Sequence, residues 1–260
     1  MTKFYMRLLA VFVAAIVGAN ASFANTRVDP VILEAADGER IIGFTYISRH
    51  TKEDAPIAVL MHPMAASNLY WLAGDNPMSG DDLTADLLAR GYRIVALDAR
   101  GHGSRTGDKS PMAFLQNARE GDGMAYRAMI TGTIEDYKLL LDTMLEKHPE
   151  AKGVLAMGYS MGAQMATLFA AQDKRVTHLV TMVPPAVTNV PELAPIKFAP
   201  SVTIPWLLLT ADKDQFATKE QNTALANAAG TTPEVRTFDS KHLLPGDYVN
   251  SVSNWLNGLN

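Results

Sequence analysis

The stretch Val154-Leu155-Ala156-Met157-Gly158-Tyr159-Ser160-Met161-Gly162-Ala163-Gln164-Met165-Ala166 reads as strand, tight turn and helix in succession. Val154–Met157 is apolar at every position, as in a strand covered on both faces. Gly158-Tyr159-Ser160-Met161-Gly162 fits the pattern G-x-S-x-G. Small residues, Gly162, Ala163 and Ala166, then open a helix. A strand that turns so sharply into a helix strains the residue at its apex, and a Cβ at 158 or 162 would collide with the turn. The same turn aims the helix N-terminus at the Ser160 hydroxyl, which favours a developing negative charge there. Ser160 is therefore a candidate nucleophile. Alone it would be a helix cap, so its meaning depends on what the rest of the chain supplies.

Further apolar runs stand on either side: Ile57–Met61, Ile94–Leu97, Leu179–Val183 and Trp206–Leu209. Arg40–Ser48 alternates in a strand-like way, and Glu234–Phe238 reads as a last strand. Helical stripes lie between them. Asp82–Arg90 is apolar at Leu83, Leu87 and Leu88, with Gly91 to end it. Thr133–Lys147 carries one apolar face, with Thr133 as its expected cap and His148-Pro149 as its stop. Ser160–Gln172 is a third helix. Thr218 and Gln221 form a capping-box pair for a fourth, closed by Gly230. Tyr248, Val249, Val252, Trp255 and Leu256 share a face on the last. Strand and helix in repeated alternation predict an α/β fold with a doubly wound, mostly parallel β-sheet flanked by helices. Residues 103–132, charged and Gly-containing, are expected to make an excursion over the strand ends.

Two partners for Ser160 follow in the chain. If the order is nucleophile, acid, base, the base is His178 or His242. His178 opens an apolar run and reads as a strand-edge residue. His242 follows Glu234–Phe238 in the loop Asp239-Ser240-Lys241, where an imidazole is addressable. The acid should lie beyond the Trp206–Leu209 strand, at Asp212 or Asp214. Its task is to orient the imidazole and stabilise its cation without taking the proton.

The whole chain of 260 residues is 48% hydrophobic and 19% charged, with a net charge of −4. It is long enough for one sizeable core, and it has no basic surplus to attract nucleic acid. It contains no Cys, so disulfides, thiolate metal sites and a Cys nucleophile are excluded. The sequence has no H-E-x-x-H and no G-x-x-x-x-G-K motif, and Gly101–Gly107 lacks dinucleotide spacing. No metal and no cofactor are expected. At the start, Lys3 and Arg7 precede the apolar run Leu8–Gly18, which is short for a membrane span. Ser22-Phe23-Ala24 and Ala19-Asn20-Ala21 each offer small residues for a cut. Residues 1–24 are thus expected to be a signal peptide for export to the periplasm or beyond, with no membrane span after its removal. Residues 25–260 are expected to form a single domain.

Over residues 40–258 the sequence resembles the α/β-hydrolase family. His62-Pro63, Asp98-Ala99-Arg100-Gly101-His102-Gly103, Gly158–Gly162, Asp214 and His242 carry the resemblance by their joint order. Within the family it is similar to small exported serine hydrolases related to dienelactone hydrolases and serine-aminopeptidase-like esterases. The resemblance implies the triad Ser160, Asp214 and His242, with Asp214 favoured over Asp212 because Ala211 fills the family's small-residue position. It also implies an oxyanion hole from the backbone amides of Met64 and Met161, and loop-organising roles for His62 and His102. Pro63 stands where the family has Gly and supplies no N–H. Ser160 departs from the Cys of dienelactone hydrolases proper. Residues 184–205 leave room for little or no lid.

An apolar acyl pocket lined by Met61, Met64, Met161, Trp71 and Phe216 would suit the side chains near these motifs. Three functions follow: cleavage of small or medium acyl esters, cleavage of amides or peptides by the same triad, or binding without catalysis. A small-molecule ester or amide is the expected partner. An aminopeptidase would want acidic groups at the pocket, and Glu120 and Asp122 would serve if 103–132 folds over the site.

Overall fold

The apolar runs become the centre of one sheet. The computed structural model describes residue 23 and residues 25–73, 78–108 and 110–259. The expected signal segment therefore lies outside the described residues, except for Phe23, which is buried against the sheet. The strands are β1 (Thr26–Glu34), β2 (Arg40–Ser48), β3 (Ile57–Met61), β4 (Arg93–Leu97), β5 (Val154–Tyr159), β6 (His178–Met182), β7 (Trp206–Ala211) and β8 (Glu234–Phe238). Their order across the sheet is β1-β2-β4-β3-β5-β6-β7-β8. β1 and β2 pair antiparallel, β2 runs antiparallel to β4, and the remaining pairs are parallel.

The helices are α1 (Gly80–Ala89), α2 (Pro111–Arg119), α3 (Met124–Lys147), α4 (Met161–Gln172), α5 (Pro195–Phe198), α6 (Lys219–Ala228) and α7 (Tyr248–Asn257). They cover both faces of the sheet, and the period-2 pleat divides the strand residues between them. In β3, Ile57, Val59 and Met61 join the core under α3 and α4 with Tyr137 and Phe169. Ala58 and Leu60 join the opposite core with Leu83, Leu87, Tyr248 and Val252 of α1 and α7. Each fully buried Leu or Phe of these layers contributes roughly 2 kcal/mol. Thr218 and Gln221 make the expected capping box: the Thr218 Oγ1 accepts from the Gln221 N–H, and the Gln221 Oε1 accepts from the Thr218 N–H at 2.8 Å.

The structure corrects three details. Thr133 caps nothing. Helix α3 starts at Met124, and Thr133 lies buried within it, its hydroxyl donating to the Met129 carbonyl at 2.7 Å. The punctuation Thr131-Gly132-Thr133 is overridden because Tyr126, Met129 and Ile130 extend the apolar stripe. Gly132 is required by close packing, since a Cβ there would meet the Arg100 guanidinium. Second, residues 103–132 contain helix α2, capped by Ser110 with Pro111 at its first position. Third, β1 precedes β2 as an edge strand. It is half exposed and tolerates Pro30 because an edge residue need not donate to a ladder.

Candidate active site

In a parallel sheet the strand ends that follow one another in space all open on one side, and ligands bind beyond the carboxyl ends. Here β3, β4, β5, β7 and β8 deliver His62–Met64, Asp98–Ser104, Ser160, Asp214 and His242 to that side. Ser160 stands between β5 and α4 with φ 55° and ψ −117°. A side chain at this φ is strained. The glycines make the turn feasible: a Cβ on Gly158 would run into the Gly162 carbonyl, and one on Gly162 into the Met61 carbonyl.

The Ser160 Oγ lies 2.7 Å from His242 Nε2. His242 Nδ1 lies 2.9 and 3.0 Å from the two Asp214 carboxylate oxygens. A carboxylate only accepts, so Nδ1 carries the proton and donates to Asp214. Nε2 is then free to accept from the Ser160 hydroxyl. The Asp214 side chain is fully buried, and one of its oxygens also accepts from the Phe216 N–H at 2.8 Å. Asp212, by contrast, is exposed. Such a relay can draw a proton from a serine hydroxyl as the oxygen attacks a carbonyl carbon.

The His242 loop is held by a residue that sequence reasoning missed. The Tyr159 hydroxyl donates to the His242 carbonyl at 2.9 Å and accepts from the Leu244 N–H at 2.9 Å. Burial pushes its phenol up to about 12, so it stays a donor. The neighbour of Ser160 thereby fixes the backbone on both sides of the imidazole. Phe216 closes edge-on against the His242 ring, 4.6 Å between centroids.

Two residues lining the space beside Ser160 have backbone amides with no hydrogen bond among the described residues. The Met161 N–H is the first of α4 and has no intrahelical acceptor. The Met64 N–H makes no hydrogen bond among the described residues. Ala65 follows with φ 62°, an uncommon conformation for a residue with a Cβ.

Beneath the Met64 loop lie the two remaining motif histidines. His62 Nδ1–H donates to the Pro63 carbonyl at 2.8 Å and its Nε2 accepts from the Ala99 N–H at 3.0 Å. That couples the loop after β3 to the loop after β4. His102 Nδ1–H donates to the Arg100 carbonyl, and its Nε2 is buried without a partner. The Asp98 carboxylate accepts from the Asn68 N–H, the Ser104 N–H and the Ser104 hydroxyl. Gly103, at φ 53°, leaves room for that carboxylate. Burial, reinforced by the neighbouring His102, lowers His62 to about 3.

An unfolded chain protonates His62 near pH 6.5, whereas the fold refuses the proton down to about 3. Stability should therefore be complete above pH 6.5 and fall as the pH falls, by up to about 1.4 kcal/mol per unit from this group. The urea midpoint of His62→Gln should decline less steeply than that of the wild type between pH 6.5 and 4.5. Parallel declines would assign the acid sensitivity to other groups.

The relay opens into a cavity of about 440 Å³. Met64, Met161 and Phe216 line it as expected, joined by Met112 and Leu115 of α2. Met61 and Trp71 do not; both are wholly buried in the core. Glu120 and Asp122 do not line it either, although α2 does lie over the site. No acidic side chain lines it among the described residues. The charged group at its wall is Arg119, whose guanidinium lies 5.9 Å from the Phe216 ring centroid. Residues 184–205 supply a short wall with three brief helical turns and no large lid. His178 sits at the start of β6 beside Thr177 Oγ1 and Trp255, apart from the cavity. No group of three or more His, Cys, Asp or Glu able to hold a metal occurs among the described residues.

The alpha/beta hydrolase family matches residues 58–255, a span from β3 to the last helix. The chain belongs to the alpha/beta hydrolase family. The fold of this hydrolase is similar to that of a PEG-bound cold-adapted esterase from an Arctic intertidal metagenomic library. The TM-score is 0.71 at 21% identity, over 90% of this chain and 94% of that one. It is also similar to an esterase from Pyrococcus furiosus, with TM-score 0.66 and 17% identity over 90% of each chain. No curated protein matches the sequence.

Proposed function

We propose that this hydrolase cleaves small or medium acyl esters through a covalent acyl-enzyme at Ser160. The observation that carries the reading is the unbroken relay Ser160 Oγ–His242 Nε2–Asp214 at the floor of a mainly apolar cavity. The Ser160 oxygen attacks the ester carbonyl carbon as its proton passes to His242 Nε2. The carbonyl oxygen becomes an oxyanion and takes hydrogen bonds from the Met64 and Met161 amides, each worth about 3 kcal/mol. The tetrahedral adduct collapses, and the same proton goes to the departing alkoxide. Water then repeats the sequence on the acyl-enzyme and releases the acid. Both solved relatives named above are described as esterases, which supports the same reading.

Amide cleavage would use the same relay, but the cavity wall does not suit an aminopeptidase substrate with a free amine. A substrate amine needs an anion beside it, and the cavity presents Arg119 instead. The kcat/KM for p-nitrophenyl butyrate should exceed that for alanine p-nitroanilide by at least about 100-fold; this corresponds to roughly 2.7 kcal/mol of transition-state discrimination. Faster anilide cleavage would make the protein a peptidase. Residues 1–24 complete the reading as an export signal. A cut after Ala21 would retain Phe23 in the core, whereas a cut after Ala24 would remove it.

A further inference from the structure

Next to the catalytic cavity lies a second one, of about 350 Å³. Its walls are mainly apolar, with Ala194, Pro195, Ala217 and Leu225 at its back and Ile196 and Ala224 at its outer side. Pro185, Val187 and Thr188 line both cavities. They form a partition one segment thick. The segment is anchored on both sides. The Ala186 N–H donates to the Phe216 carbonyl at 3.0 Å. Farther along, buried Gln164 of α4 donates to the Leu193 carbonyl at 3.0 Å and accepts from the Tyr126 hydroxyl. Between these anchors Val187 has φ 51°. A β-branched side chain in the left-handed region is a true outlier, and such strain collects where a segment changes conformation in use.

We propose that the second cavity is an acyl-chain subsite and that Val187 is the gate between it and Ser160. The inference rests on the serine-hydrolase reading above and extends it from small or medium acyl groups to long ones. The occupant is the distal hydrocarbon of a long acyl chain. The alcohol leaves after the first half of the reaction. The acyl arm stays on Ser160 until water arrives, so it is the part of the ester that a subsite beside the nucleophile holds through both halves of the reaction. A short acyl group ends within the first cavity. A longer one reaches the partition, displaces Val187 from its strained conformation and buries its remaining methylenes against Ala194, Ala217 and Leu225. Each methylene removed from water contributes about fourfold to binding.

The test is the ratio of kcat/KM for p-nitrophenyl dodecanoate to that for p-nitrophenyl butyrate, below the micellar concentration. In Val187→Gly, which removes both the gate and the strain, the ratio should rise at least about tenfold over wild type. Val187→Ala should move it the same way by a smaller step. Ala224→Trp, on the exposed side of α6 and filling the second cavity, should lower it at least about tenfold. Ratios within twofold of wild type in both Val187→Gly and Ala224→Trp, with butyrate still cleaved, would overturn the subsite and leave the hydrolase reading standing. A wild-type protein that cleaves neither ester would overturn both.

Discussion

Replacing Ser160 by Ala should lower kcat/KM for ester hydrolysis on the order of 10⁶-fold. No other side-chain oxygen among the described residues is hydrogen-bonded to His242 Nε2, so the acyl-enzyme route closes. His242→Ala should cost nearly as much, because a neutral hydroxyl without its base attacks poorly. The double variant should be little worse than either, since the two residues act as one unit. Melting temperature should stay near wild type in Ser160→Ala and fall in His242→Ala, because the buried Asp214 carboxylate loses its imidazole partner. Met161→Leu should be mild by comparison, because the amide that meets the oxyanion survives the change.

Asp214→Asn is the second large effect, an expected loss of roughly 10³–10⁴-fold in kcat. Asp214 accepts one hydrogen bond from His242 Nδ1–H and another from the Phe216 N–H. An amide at the same place can present its NH2 to Nδ1 and draw the imidazole into the opposite tautomer, with Nε2 protonated and unable to accept from Ser160. Asp212→Asn should change kcat less than about threefold, because Asp212 is exposed and makes no contact with the imidazole. Steady-state kinetics on p-nitrophenyl butyrate decides between them; the reverse ranking would move the acid to Asp212.

The central strands were legible because a parallel sheet buries both faces, which leaves uninterrupted runs such as Ile57–Met61. β1 was not, since an exposed edge carries only a weak alternation, and Pro30 interrupts it. The start of α3 was hidden by Thr131-Gly132-Thr133, a turn-like triplet that tertiary packing against Arg100 turns into helix. At the site, Ser160 and His242 could be picked out because each follows a strand end, and strand ends converge in this topology; the same reasoning left Asp212 and Asp214 open, and only the family resemblance favoured Asp214. The pocket lining was less accessible. Met61 and Trp71 are near the motifs in sequence but point into the core, while Met112 and Leu115 come from a helix some 45 residues upstream of Ser160. Proximity in sequence does not decide which face of a strand or helix a side chain occupies; the pleat and the helical period do. Tyr159 gave a signal that could have been used: a phenol in a buried strand needs a polar partner, and the loop carrying His242 is what lies within its reach.

The central claim is that Ser160 is a nucleophile activated by His242. Intact-mass measurement after reaction with a fluorophosphonate tests it most directly, since the reagent is captured only by a serine whose proton can be removed during attack. One adduct on the wild-type protein, mapped to Ser160, absent in Ser160→Ala and strongly suppressed in His242→Ala, is the expected result. A folded wild-type protein that takes up no label, or one whose label persists in Ser160→Ala, would contradict the account.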